Sequence, residues 1–142
     1  YQKELYEMDY RPPSSSALTS DVLDLLIDKG FEAIPNNNYG YDHGVWMPLR
    51  LIRPEADVPV VQVSLPMFED PRAIMKLGHS LSSLREQGIL LVGSGMAALN
   101  TSKVVWYARG EDVQPKIVEF SNWLVQNLME ANIENLLEYR SH

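Results

Sequence analysis

Residues 58–65 read VPVVQVSL and residues 89–92 read ILLV, and a stretch with helical spacing runs between them and stops at Gly88. This alternation constrains the fold more than any other feature of the chain. The first run is β-branched and almost continuously apolar, as a strand covered on both faces would be. The second is short and is closed by GSG at 93–95. Between them, Ile74, Leu77, Leu81 and Leu84 share one face of a helix expected from Pro71 to Gln87. Strand, helix, strand is an α/β pattern. The expected fold is therefore a mostly parallel sheet flanked by helices, joined by right-handed crossovers. With 142 residues, 45% of them apolar, the chain has the length and the core material of one α/β domain spanning 1–142.

The rest of the chain fits around that unit. Residues 1–16 lack periodicity and end in RPPSSS, which reads as an extended loop. Ser15 or Ser16 can cap a helix whose buried face is Leu18, Val22, Leu25 and Leu26, with Gly30 as its stop. FEAI (31–34) is a short strand candidate, and PNNNYG (35–40) a loop. Asp42 can cap a short helix reaching about Ile52, in which Pro48 is tolerated only if it sits in the first turn, where a missing N–H is harmless. VVWYA (104–108) is a further extended candidate. The end is helical, with one stripe of Ile117, Phe120, Leu124 and Leu128 and a shorter one of Ile133, Leu136 and Leu137.

Charge and composition exclude several functions. A net charge of −7 repels phosphate backbones and offers no basic cluster to an anionic membrane. No apolar run reaches the ~18 residues of a membrane span. No charged-then-apolar signal segment is read at its start, and cysteine is absent, which removes disulfides, thiolate chemistry and zinc–cysteine sites together. A cytoplasmic location fits these features. The first residue is tyrosine, which reads as a processed chain or a piece of a longer one.

Ligands of α/β folds collect beyond the carboxyl ends of strands. Here those loops hold His43, the residues after Leu65, and GSGMAALN (93–100). GSG after a strand suggests a phosphate cradle, but Ala98 stands where a third glycine would fall, and no P-loop lysine follows. A tight turn is the simpler reading. His79 reads as an exposed helical residue and His142 is the last residue. His43 lies on a loop before glycine and tryptophan. An ordinary imidazole titrates near ~6.5 and can shuttle protons, although a helix-start histidine is the simpler local reading. No pair of histidines has metal-ligand spacing, and no serine has a nucleophile-elbow setting. Glu69–Asp70 and Glu111–Asp112 are sequence neighbours, which do not face one another, and read as solvated loop charge.

GYDHGVWMPLRLIRPEADVPVVQVSL (40–65) and LSSLREQGILLVGSG (81–95) together resemble the class III extradiol ring-cleaving dioxygenases. The nearest branch is that of the DOPA 4,5-dioxygenases, related to the β subunit of protocatechuate 4,5-dioxygenase. ELYEMDYRPP near the start and FSNWLVQNLMEANIENLLEYR near the end resemble the same family. The resemblance implies the middle and late part of that family's fold and the opening of catechol rings next to the diol. It implies Fe(II) as the family's metal, for which zinc can stand in within crystals. It also makes the histidine of D-H-G-x-W, here His43, a pocket residue that transfers protons.

The departures matter equally. The family's G-H-G-S-P and S-A-H-W motifs, each with a metal histidine, do not occur in this chain. The third ligand follows the GSG strand as S-G-x-x-x-H-N, and here Leu99 takes its place, with no lone pair to offer iron. The chain alone is therefore expected to hold no metal and to be inactive. Two functions follow: a member or fragment of a catechol- or DOPA-type extradiol dioxygenase, or a degenerate homologue acting as a binding or assembly module. A small catecholic ligand is the expected small-molecule partner. A homo-oligomer or a partner chain is expected to cover apolar surface at 58–65 or 89–92.

Overall fold

The computed structural model describes residues 9–66, 70–95 and 115–141. It divides into two compact units, Tyr1–Ser94 and Gly95–His142.

In the first unit, helix α1 spans Ser16–Asp28. Ser15 caps it, its hydroxyl accepting the Leu18 N–H at 3.1 Å. Gly30 ends it at a φ of +81°. The N–H groups of Gly30 and Phe31 return to the carbonyls of Ile27 and Leu26 at 2.9 and 3.0 Å, the paired bonds of a Schellman stop. Helix α2 spans His43–Ile52 and helix α3 Pro71–Ser80. A 3-10 helix, Ser82–Gln87, follows α3 and stops at Gly88, whose φ is +75°. The single helix expected over Pro71–Gln87 is thus two pieces. The hydroxyls of Ser80 and Ser82 bond back to the carbonyls of Lys76 and His79, each at 2.7 Å. Such back-bonding competes with the helical ladder and bends it.

The core of this unit is Val22 and Leu26 from α1, Leu77 from α3, and Leu84 from the 3-10 turn. Phe31, Val63, Leu81 and Ile89 pack against it. Leu84 is the most enclosed, at 1% exposure. Burying such a side chain contributes about 1.5–3 kcal/mol.

The expected parallel sheet is overturned: no strand occurs among the described residues. Segments 31–34, 58–65 and 89–92 are not helical, but none joins a ladder. In 58–65 one backbone bond is made outward, from the Val60 N–H to the Pro13 carbonyl at 3.2 Å. Ile89 bonds only locally, to the Leu84 carbonyl at 3.3 Å. β-branched residues favour an extended backbone, but a strand exists only where a second backbone supplies alternate donors and acceptors. The extended candidate at 104–108 lies outside the described residues.

In the second unit, helix α4 spans Pro115–Met129 and helix α5 Ile133–Leu137, followed by a 3-10 turn over Tyr139–Ser141. The expected stripe is partly displaced. Leu128 is 59% exposed, whereas Asn127 is buried at 4%. The Asn127 amide donates to the Trp123 carbonyl at 2.7 Å and accepts from the Asn135 side chain at 2.8 Å. Between the two helices Ala131 holds a φ of +50°, with the Asn132 N–H on the Asn127 carbonyl at 2.9 Å. Ala131 therefore takes the left-handed position that glycine takes in the other two stops.

Candidate functional site

His43 is the first residue of α2. Asp42 precedes it as the cap, its carboxylate accepting the Val45 N–H at 3.0 Å. One helical turn on, Trp46 meets the imidazole edge to face, with ring centroids 5.1 Å apart and planes at 79°. His43 itself is exposed, so its ring combines a fixed neighbour with open access.

Three contacts fasten this turn to other parts of the unit. The Tyr41 hydroxyl donates to the Val60 carbonyl at 2.8 Å. The Asp42 N–H donates to the Gln62 carboxamide oxygen at 2.9 Å. The Ser94 hydroxyl donates to the Gly44 carbonyl. Burial first, and then the neighbouring Tyr10, push the Tyr41 phenol above its ordinary value.

Pro48 explains the last contact. It lies inside α2, beyond the first turn in which a proline is tolerated. A proline there has no N–H for the carbonyl four residues back and its ring presses on that carbonyl. Four residues back is Gly44, whose oxygen receives the Ser94 hydroxyl instead. The GSG segment thus reaches the D-H-G turn through its serine. A Cβ added to Gly93 or Gly95 would meet nothing within 4 Å, so no close approach requires those glycines. A Cβ on Gly44 would come within 3.3 Å of the capping Asp42 carboxylate.

The far end of α2 is also tied. Arg53 makes a two-pronged pair with Asp57, both bonds at 2.8 Å, while its carbonyl accepts the Tyr10 hydroxyl at 2.9 Å. The bond from Arg53 lowers the Asp57 carboxyl below its ordinary value.

The other sequence candidates fare differently. His79 is an exposed residue in the last turn of α3. Asp70 is a helix cap, accepting the Arg72 N–H at 2.9 Å. Glu69, Leu99, Glu111, Asp112 and His142 lie outside the described residues. Sequence reasoning missed Gln62 and Ser94. The signal for Ser94 was Pro48 standing four residues after a glycine.

Over residues 1–142 the chain matches the family described as the catalytic LigB subunit of aromatic ring-opening dioxygenase. The chain belongs to this family. It is 34% identical over 142 residues to a 4,5-DOPA dioxygenase extradiol of Beta vulgaris, covering 99% of this chain and 52% of that protein. It is 30% identical over 128 residues to the 4,5-DOPA dioxygenase extradiol of Escherichia coli K12, covering 90% and 46%. A crystal structure of an uncharacterized Escherichia coli K12 protein superposes with a TM-score of 0.76 at 31% identity, over 87% of this chain and 50% of the other. The chain therefore spans about half the length of these relatives.

LigB dioxygenases are in general metal-dependent. The described residues do not fit such a metal: no three His, Cys, Asp or Glu side chains among them come together to hold one. No helix among the described residues is long and apolar enough to cross a membrane.

Proposed function

We propose that this chain is the acid/base portion of an extradiol dioxygenase that opens catecholic rings of the DOPA type, and that His43 is its proton-transfer residue. The observation that carries this reading is the Ser94–Gly44 contact. It draws the D-H-G-x-W turn and the G-S-G segment, fifty residues apart, to one place beside an accessible imidazole. A neutral imidazole there can take a proton from a catechol hydroxyl and return it to the product. Trp46 against one side of the ring leaves the imidazole fewer orientations to lose on binding. The names of the Beta vulgaris and Escherichia coli relatives support a DOPA-type substrate.

The chain alone is not proposed to complete the reaction. This rests on Leu99, which has no lone pair at the family's ligand position, and on the lack of a three-donor group among the described residues, the face on which open-site iron chemistry runs. Leu99 also motivates a second reading, in which the chain is a degenerate homologue that binds or assembles without turnover.

The experiment is a titration of the purified chain with catechol and with DOPA, followed by NMR at His43 and Trp46, and then by absorbance after Fe(II) is added. Ligand-dependent shifts at His43 and Trp46 are expected, with those at Trp46 lost in His43→Ala, without formation of the yellow ring-opened semialdehyde. Leu99→His alone is expected to leave turnover absent. Absence of any shift at His43 overturns the acid/base reading. Iron-dependent product above buffer overturns the claim that the chain is incomplete.

A further inference from the structure

A helix that begins with a capping box satisfies two orphan donors at once. The cap side chain accepts the third residue's N–H, and the third residue's Glu or Gln reaches back to the cap's own N–H. In α2 the first half is present, from the Val45 N–H to the Asp42 carboxylate at 3.0 Å. The second half cannot come from within the helix, because the third residue is Val45, which carries no acceptor. The Asp42 N–H is nevertheless paired. Its acceptor is the carboxamide oxygen of Gln62, at 2.9 Å and twenty residues away.

We propose that Gln62 is a positioning residue for His43: it supplies the missing half of the capping box and thereby fixes the peptide from which the imidazole departs. The proposal rests on the reading of His43 as the acid/base residue. The Asp42 carboxylate holds the turn from the helix side and Gln62 holds it from segment 58–65. His43 follows Asp42 directly, so a loosened Asp42 backbone moves the ring away from its seat on Trp46. Gln62 is also the polar interruption in the apolar run VPVVQV, where a side chain chosen only for packing would be aliphatic. The Tyr41 hydroxyl on the Val60 carbonyl braces the same turn at a second point, so the proposal assigns Gln62 the orientation of the turn rather than its attachment.

The test uses the whole chain and needs no turnover. Gln62→Met keeps the length and the apolar stem but removes the acceptor. Gln62→Glu keeps the acceptor and is measured in salt sufficient to screen its charge from Asp42. The readouts are the ring-proton NOE between His43 and Trp46 and the exchange rate of the Asp42 amide. Gln62→Met is expected to lose the NOE and to exchange Asp42 about five-fold faster, as loss of one ordinary hydrogen bond allows. Gln62→Glu is expected to retain both. Persistence of the NOE in Gln62→Met, or its loss in Gln62→Glu, overturns the proposal. Should Gln62→Met not fold, the native chain decides. Its Asp42 amide is expected to exchange more slowly than that of Gly40, and equal rates overturn the proposal. A catechol titration that leaves His43 unmoved would defeat the acid/base reading while leaving these measurements standing, so the two failures are distinguishable.

Discussion

The Ser94 hydroxyl donates to the Gly44 carbonyl, the acceptor that Pro48 leaves without a helical donor. This pairing turns a local defect into a tertiary link. Pro48→Ala restores the N–H and gives Gly44 a donor within α2. Ser94→Ala is then expected to cost about 1 kcal/mol in the native chain and less than half of that in the Pro48→Ala background. A double-mutant cycle by urea denaturation measures the difference. Effects that add within about 0.3 kcal/mol would show that the two residues are not coupled.

Leu84 is the deepest side chain of the first unit. Leu84→Ala is expected to destabilise that unit by about 2–5 kcal/mol, by lost transfer energy and the cavity left between α1 and α3. Denaturation followed at Trp46 fluorescence, with Trp106 and Trp123 replaced by phenylalanine in both proteins, reads this, and a loss below about 1 kcal/mol would contradict the assigned core.

The Tyr41 phenol sits above its ordinary value of 10.0, chiefly through burial. The unfolded chain therefore releases this proton first as pH rises. The Tyr41 contribution to stability is fully present below the unfolded value and is lost as pH climbs through the folded one. Comparison of the native chain with Tyr41→Phe should show a constant stability difference at neutral pH that shrinks under alkaline conditions. A difference that grows with alkali would reverse the assignment.

Ala131 holds a backbone conformation that costs an alanine about 1–2 kcal/mol relative to the right-handed region and glycine almost nothing. Ala131→Gly is expected to raise the stability of the second unit by roughly 0.5–1 kcal/mol, after the glycine's greater unfolded freedom is counted. Thermal unfolding followed by circular dichroism tests this, and a lowered midpoint would count against it.

Leu90 is 83% exposed, in a segment 89–92 whose backbone polar groups have little pairing among the described residues, and Leu51 on α2 is 79% exposed. The chain is expected to self-associate or take a partner chain at micromolar concentration. Light scattering should give a mass above the 16.2 kDa of one chain. A clean monomer across that range would end the expectation.

What the sequence revealed was the local chemistry. Ser15, Gly30 and Asp42 act where their types predicted, because a cap or a left-handed stop is decided within a few residues. The place of His43 at the helix start follows for the same reason, whereas its acid/base role rests on the family resemblance and is a proposal. The sheet was misjudged because ladders need a second backbone, and the composition of 58–65 cannot say whether one is there. Gln62 and Ser94 were missed because each bonds a backbone atom far along the chain, and the one signal, Pro48 four residues after Gly44, marks the freed acceptor and not its donor. Asn127 was missed because helical periodicity counts apolar residues, and the buried position on α4 is an amide.

That amide makes the corner between α4 and α5 selective among side chains in the way a binding pocket is selective among ligands. Leucine would match Asn127 in bulk but would leave the Asn135 amide facing carbon. Aspartate would match it in outline but would set its carboxylate against the Trp123 carbonyl, acceptor against acceptor. An asparagine presents one donor and one acceptor in the order the corner demands. Among its described residues, the second unit therefore discriminates by hydrogen-bond polarity at a place where a hydrophobic core would discriminate by volume.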